Sequence, residues 1–368
     1  MRIAVIGGGT AGFAAAIAAA EQGASVTVLE RNSKPLKKLG VTGNGRCNIL
    51  TSGEPVYYGD AAFARAVLGR VGYTELAAFF ASLGVVLREE RDGWIYPASL
   101  MASAVQDALL LRAEQLHVNV LCRARAESIA REEGTYSLRG IKGQMAGDKP
   151  LQTGESFSLE ADRVIVACGG AAAPAHGTDG TAYGLLTAFG HRCTELSPSL
   201  CALHVPKKRI QGLAGQRVRA RLRLLDARKN AERESRGEVL FADDAVSGIA
   251  AMRLARFFGE GAELILDLRD ELNMEGDVLP FIRSLAAMRV NRPAVDLLTG
   301  AFSSPVARWL LREAGVKDLQ SPIETAGPRM LRAVAGTIGG VRLPVLGTRG
   351  FDQAQVTAGG IETKDFDP

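Results

Sequence analysis

The chain has 368 residues, 47% of them apolar and 23% charged, with a net charge of +4. It is too long for a single growing core, so two or three subdomains are expected, and too weakly basic to argue for nucleic acid or a membrane surface. Five scattered cysteines without a C-x-x-C pair fit reduced thiols in the cytoplasm better than a disulfide framework or a zinc site. The apolar N-terminus breaks at three glycines with no cleavage pattern behind it, and no apolar window is long enough to span a membrane.

In chain order, Arg2 to Ile6 reads as a short buried parallel strand. Phe13 to Gln22 is Ala-rich and helical, Gly23 takes the helix C-terminus, and Ser25 to Leu29 is the second strand. Gly7, Gly9 and Gly12 form G-x-G-x-x-G at the strand-to-helix junction. They permit a tight turn, close approach of a pyrophosphate to bare backbone, and close packing of helix on strand. Glu30, eighteen residues past Gly12, is placed to accept hydrogen bonds from ribose hydroxyls. An acidic residue there points to an unphosphorylated adenosine ribose, hence FAD or NAD.

The stretch "VTGNGRCN" (41–48) packs two glycines, two asparagines, an arginine and a cysteine into eight residues, which suits close approach to a ligand better than a core. Residues 60–116 read as helices, ending in a strongly apolar one over "ASLMASAVQDALLLRAEQLH" that should cover the sheet. Between them "REERDGWIYPAS" reads as an aromatic loop forming ordinary hydrophobic cover. Residues 118–140 read as strand, turn and strand, and residues 142–156 as an exposed loop. "DRVIVACGG" (162–170) is another buried strand ending in a glycine pair. A turn through Asp179-Gly180 and a helix from about Thr181 to Phe189 follow.

Arg217, Arg219, Arg221 and Arg223 alternate with Val218, Ala220, Leu222 and Leu224, the period of a strand with one basic and one buried face. A phosphate-tracking stripe is conceivable, but no base-stacking aromatic pair accompanies it, and a solvated outer face is the preferred reading. Strands from 196 to 267 then give way to helical periodicity over 271–336, and "VRLPVLGTRGFDQAQVTAGG" returns to strands and turns. His117, His176, His191 and His204 lack metal-ligand spacing and read as loop or helix-end residues.

Four segments, "KLGVTGNGRCN" (38–48), "VIVACGGAAAPAHGTDGTAYGLLTAFGH" (164–191), "GEVLFADDAVSG" (237–248) and "GTRGFDQAQVTAGG" (347–360), give the chain a family resemblance. It resembles the bacterial FAD-dependent NAD(P)H oxidoreductases that include 3-dehydro-bile-acid reductases and aminoacetone-oxidase-type flavoproteins, collinearly over essentially its whole length. The resemblance implies an α/β fold with a discontinuous, glutathione-reductase-type Rossmann-like FAD domain (1–194 and 358–368). It further implies an inserted antiparallel β-barrel-like domain (195–270 and 337–357) and a helical subdomain (271–336).

On the same ground the FAD contacts are Gly7, Gly9, Thr10, Ala11 and Gly12, then Glu30, Arg31 and Lys38. They continue with Gly43, Asn44, Gly45, Arg46, Cys47 and Asn48 along the flavin, Ala126 near the adenine, and Cys168, Gly169, Gly170 and Asp179. Arg46 could counter phosphate or reduced-flavin charge, and Asn44 and Asn48 offer donors and acceptors. Cys47 reads as a packed thiol beside the cofactor, and no residue is assigned as catalytic.

Flavoproteins of this type finish with a strand and Gly-rich turn like "GLYFAGE" and a closing helix. Nothing after Gly360 reads that way, so a closing segment is expected to be missing here. The expected activity is hydride transfer through flavin N5 to or from a small or hydrophobic, enone or steroid-like substrate. With one dinucleotide fingerprint, NAD(P)H is expected to dock transiently as donor. An NAD-dependent dehydrogenase without flavin, and a non-enzymatic flavin-binding or RNA-associated protein, stay open as alternatives.

Overall fold

The computed structural model describes residues 1–90, 93–143, 153–226, 231–325 and 327–368. Most of the loop expected at 142–156 therefore lies outside the described residues. Two compact units are formed, one from Met1–Glu195 with Gly359–Pro368 and one from Leu196–Ala358.

The first unit is organised by a four-stranded parallel sheet. Its first strand β1 (Arg2–Ile6), the helix α1 (Thr10–Glu21) and the second strand β2 (Ser25–Glu30) form one βαβ unit. Beyond β2 lies Asn119–Cys122, and on the other side of β1 lies Arg163–Val166, all parallel. Numbered along the chain, the order is 3-2-1-4. The chain steps outward from β1 through β2 to the third strand and then returns to the other side of β1, and a crevice opens at the carboxyl ends of β1 and Arg163–Val166, where open α/β sheets bind ligands.

Strand alternation divides the core. Ile3 and Val5 face Ala16 of α1, while Ala4 and Ile6 face Leu138 and Ala161 of an antiparallel three-stranded sheet (Ala124–Glu132, Thr135–Lys142, Glu155–Ala161). The apolar helix spans Ala102–Gln115 and buries Ala102, Val105, Leu109 and Ala113, one stripe at helical spacing. That stripe packs on Phe13 and Ile17 of α1, so the helix covers α1 as a further layer.

Three elements differ from their sequence reading. Helix α1 starts at Thr10, three residues early, because Gly9 takes an extended N-cap conformation directly after the turn. Trp94–Pro97 is a strand, paired with Leu50–Thr51 and Leu87–Glu89, with Ile95 and Tyr96 buried. The helix expected over Thr181 to Phe189 contracts to Tyr183–Thr187.

The second unit carries an antiparallel seven-stranded sheet whose two edges are Val341–Pro344 and Gly347–Thr348. A flat sheet would hold those edges about 29 Å apart, at about 4.8 Å per step. Three Cα steps of chain reach at most about 11 Å. The sheet must curl, which makes it barrel-like.

Its longest strands, Arg217–Asp226 and Ala231–Phe241, bury Val218, Ala220, Leu222 and Leu224 on one face. On the other face Arg217, Arg221 and Arg223 meet Glu238, Glu234 and Glu232. The stripe is thus largely neutralised across the ladder, as a solvated face would be. The helices Leu279–Met288, Ser304–Glu313 and Pro328–Gly339 belong to the same unit. Among the described residues no helix is long and apolar enough to cross a membrane, and no cluster of acidic, cysteine or histidine side chains could hold a metal.

Candidate dinucleotide site

A cavity of about 760 Å³ opens at the crevice of the first unit. Its floor is backbone. Gly7 has φ +109°, and a Cβ there would lie 2.5 Å from the Ala167 carbonyl, so the ends of β1 and Arg163–Val166 approach as only glycine allows. Gly12 does not line the cavity; a Cβ on it would lie 1.9 Å from the Gly7 oxygen, so its role is to let α1 close onto β1. At Gly9 a Cβ would meet nothing within 4 Å, because this backbone is open. Helix α1 begins there without a side-chain cap and without an acidic residue in its first turn. Its N-terminal amides and dipole are left for an anion.

Glu30 closes β2 in a buried position. Its Oε2 accepts from the Gly8 amide at 2.8 Å, and its Oε1 accepts from the Asn32 amide and Asn32 Nδ2 at 2.7 and 2.6 Å. Three donors fix the carboxylate, and capacity remains for a ligand hydroxyl, since a carboxylate offers about four acceptor positions.

Arg31 donates Nε to the Gly177 carbonyl at 2.9 Å and Nη1 to Asp179 at 3.0 Å, tying the end of β2 to the turn at 177–180 beyond Arg163–Val166. Burial alone would raise the Asp179 carboxyl, but hydrogen bonds from Thr181 and Arg31 outweigh it and hold its pKa low. Lys38 donates to the Ala172 carbonyl at 3.1 Å, and burial lowers its pKa. The Cys168 thiol donates to the Ile6 carbonyl at 3.2 Å. Burial and then the Glu30 charge push its pKa up to about 12, so it is a neutral thiol and no nucleophile.

Of the residues expected from sequence, Gly7, Gly9, Thr10, Ala11, Glu30, Arg31, Lys38, Ala126, Cys168, Gly169 and Asp179 line this one cavity. Gly12, Gly170 and the six residues Gly43, Asn44, Gly45, Arg46, Cys47 and Asn48 do not. The loop they form is nonetheless unusual. Gly43, Asn44, Gly45 and Cys47 all have φ between +57° and +82°, a clustering of left-handed residues typical of functional loops.

Cys47 is turned into the core beside Phe13, Ile17 and Leu39, and burial raises its pKa. The side chains of Asn44, Arg46 and Asn48 are exposed, with Arg46 lying 4.9 Å over the Tyr96 ring. Sequence reasoning missed Gly8, Asn32, Gly177 and Thr178, all of which line the cavity. The Thr178 hydroxyl lies within donating reach of both the Cys168 carbonyl, at 3.0 Å, and the Gly170 carbonyl, and its one proton braces the loop after the fourth strand. A signal existed for Asn32 alone, a polar residue two positions beyond the acidic strand end.

An uncapped helix start, open glycine backbone and a buried acidic residue within one crevice fit a dinucleotide. The whole chain, residues 1–368, matches the family described as the HI0933-like protein Rossmann domain. The chain belongs to this family. It is 32% identical over 385 residues to the 3-dehydro-bile acid delta(4,6)-reductase of Clostridium scindens, covering 100% of this chain and 88% of the relative. It is also 22% identical over 370 residues to the ribosomal RNA dihydrouridine synthase of Escherichia coli, covering 98% and 86% of the two. Among solved structures, the 3-ketosteroid-delta4-(5alpha)-dehydrogenase of Rhodococcus jostii in complex with 4-androstene-3,17-dione aligns at 18% identity and TM-score 0.44, covering 98% of this chain and 84% of that one. Membership of the HI0933-like family makes the chain an FAD-dependent oxidoreductase with a Rossmann-like FAD fold.

Proposed function

We propose that this protein reduces a carbon–carbon double bond conjugated to a carbonyl in a hydrophobic, steroid-like substrate, with NAD(P)H as electron donor. The observation that carries the reading is the full-length 32% identity to a delta(4,6)-reductase. By their names, that enzyme and the dihydrouridine synthase both add hydrogen across a double bond. Bound FAD would supply the two-electron relay between nicotinamide and substrate.

The chain's own residues bind and orient. The first amides of α1, at Thr10, Ala11 and Gly12, would hold the pyrophosphate, while Glu30 would take a ribose hydroxyl. Lys38 and Ala126 would line the adenosine and phosphate path. Cys168, Gly169, Gly170 and Asp179 would form the wall after the fourth strand. Gly43, Asn44, Gly45, Arg46, Cys47 and Asn48 would present the left-handed loop to the flavin end, where Arg46 supplies positive charge.

The test is anaerobic oxidation of NADPH or NADH by the FAD-loaded protein in the presence of a steroid 4-en-3-one, a 4,6-dien-3-one or uridine. Consumption with the conjugated ketones and a reduced product by mass spectrometry supports the reading. Turnover of an alcohol with NAD and no flavin would establish a dehydrogenase instead.

A further inference from the structure

The net charge of the chain is not spread evenly over it. Residues 279–339 carry eight arginines and lysines against four carboxylates, a net +4 that equals the charge of the whole chain, so the rest is neutral on balance. The four carboxylates are also committed. Asp296 pairs with Arg292, and Glu313 with Arg209 from outside the stretch. Asp318 accepts from the Gln320 amide, and Glu324 from the Asn291 amide. Arg283, Arg308, Arg312, Lys317, Arg329 and Arg332 are exposed and have no hydrogen bond or ion pair among the described residues. The arginine stripe at 217–223, by contrast, is answered by glutamates on the next strand.

These cations stand on one group of helices, in which Pro328–Gly339 packs on both Leu279–Met288 and Ser304–Glu313. Pro328–Gly339 buries Val334, Ala335 and Ile338 and turns Arg329 and Arg332 outward. Ser304–Glu313 buries Val306, Trp309 and Leu310 and turns Arg308 and Arg312 outward. At these spacings, three and four residues, like charges repel and weaken a helix. Arg329 also lies in a first turn, where the helix dipole disfavours a cation. Helix stability argues against each of these placements, and an external anion would reverse the sign. The same helices bare apolar side chains. Met288 and Val290, at the end of Leu279–Met288, are 76% and 56% exposed. The Ile323 amide donates to the Arg292 carbonyl at 2.9 Å, tying this apolar tip to the stretch that leads into Pro328–Gly339.

Phosphate groups match arginines, and an extended array of them is offered by a nucleic acid or by a lipid surface. Single-stranded nucleic acid is held by stacking on exposed aromatic rings. Of the three rings in this stretch, Phe302 and Trp309 are buried and Phe281 is half-buried. Bare aliphatic side chains beside cations suit the headgroup boundary of a bilayer instead, where the chains enter the acyl region and the cations meet anionic headgroups. We propose that the outer face of residues 279–339 docks on an anionic lipid bilayer, with Met288 and Val290 entering the interface and Arg283, Arg329 and Arg332 on its phosphates. The docking is peripheral, since among the described residues no helix could cross a membrane. It does not depend on what the dinucleotide cavity binds.

The experiment is cosedimentation of the full chain, with FAD supplied, with vesicles of equimolar phosphatidylglycerol and phosphatidylcholine and with vesicles of phosphatidylcholine alone. Binding to the anionic vesicles should be at least about tenfold stronger, and should be lost at about 0.5 M salt. Each arginine near an anionic surface is worth about a fivefold preference, so Arg329→Gln with Arg332→Gln should lower partitioning about 25-fold. Met288→Ser with Val290→Ser should lower it about tenfold. Arg221→Gln with Arg223→Gln removes the same charge from the neutralised stripe and should leave partitioning within about twofold. All three variants are checked by thermal melting. Equal loss in the two arginine variants would reduce the effect to net charge and overturn the proposal. Binding to both kinds of vesicle alike, or to neither, overturns it on the unmodified chain alone. Binding to poly(U) without binding to vesicles would give the face to nucleic acid, and a dimer that Met288→Ser with Val290→Ser dissolves, again without vesicle binding, would give it to a second copy. Either result overturns the lipid assignment.

Discussion

The glycine turn at residues 7–12 and the left-handed loop at 43–48 both look built for a ligand, yet they differ in kind. The turn works through backbone: Gly7 and Gly12 let strands and helix approach, and Gly9 and the start of α1 leave amides facing a cavity. The loop works through side chains: Asn44, Arg46 and Asn48 are exposed while Cys47 anchors it in the core, and none of them lines that cavity. Under the proposed FAD reading, the adenosine and phosphate end would be set by backbone shape, and the flavin end by the polar groups an otherwise anchored loop displays.

Substitutions in the two regions should therefore fail differently. The largest effect is expected at Gly12→Val, whose Cβ would collide with the Gly7 oxygen. Chemical denaturation should show about 3 kcal/mol lost or more, together with loss of flavin binding. A folded, flavin-bound variant would mean that α1 can shift away from β1.

Glu30→Ala removes a buried carboxylate and strands the Gly8 amide. Fluorescence titration should show FAD affinity reduced about a hundredfold with the fold intact. Arg46→Ala tests the other side of the comparison. Losing its contact with Tyr96 should cost about 0.5–1 kcal/mol of unfolding free energy in a denaturant titration, while ADP affinity by calorimetry stays within about twofold. A large drop in ADP affinity would put the loop at the adenosine end after all.

The smallest effect concerns acid. The Asp179 pKa is held low by Thr181 and Arg31, so its stabilisation is present above the ordinary aspartate pKa and lost as pH falls through the folded value. Asp179→Asn should cost about half a kcal/mol near neutral pH, a figure reduced by screening at a carboxylate that is 39% exposed. The gap between variant and unmodified protein should close below about pH 4. A gap that persists at low pH would assign the cost to something other than the ion pair.

What could be read from sequence was what is local in sequence. The βαβ unit of residues 2–30 follows from strand period, glycine spacing and an acidic strand end within one short window. Its one error, the late start of α1, arose because Thr10 to Gly12 look like loop until Gly9 is seen as the cap. The alternation at 217–224 likewise gave a strand and its buried face.

The strand at Trp94–Pro97 was not legible, since its partners at 50–51 and 87–89 are supplied by the fold. Neither was the Asn32–Gly177 approach, which joins residues far apart in the chain. The arginine stripe shows the same limit, because the glutamates that neutralise it lie on the neighbouring strand. The loop at 43–48 drew its proposed role from family resemblance, and its geometry adds left-handed backbone and exposed polar side chains without a place in the cavity wall.

The most direct test of the central claim is the visible absorbance spectrum of the purified protein, before and after addition of FAD and removal of excess ligand. The account predicts the two visible flavin bands with FAD retained by the unmodified chain and absent from Gly12→Val. A colourless protein that retains NAD but no flavin would contradict it.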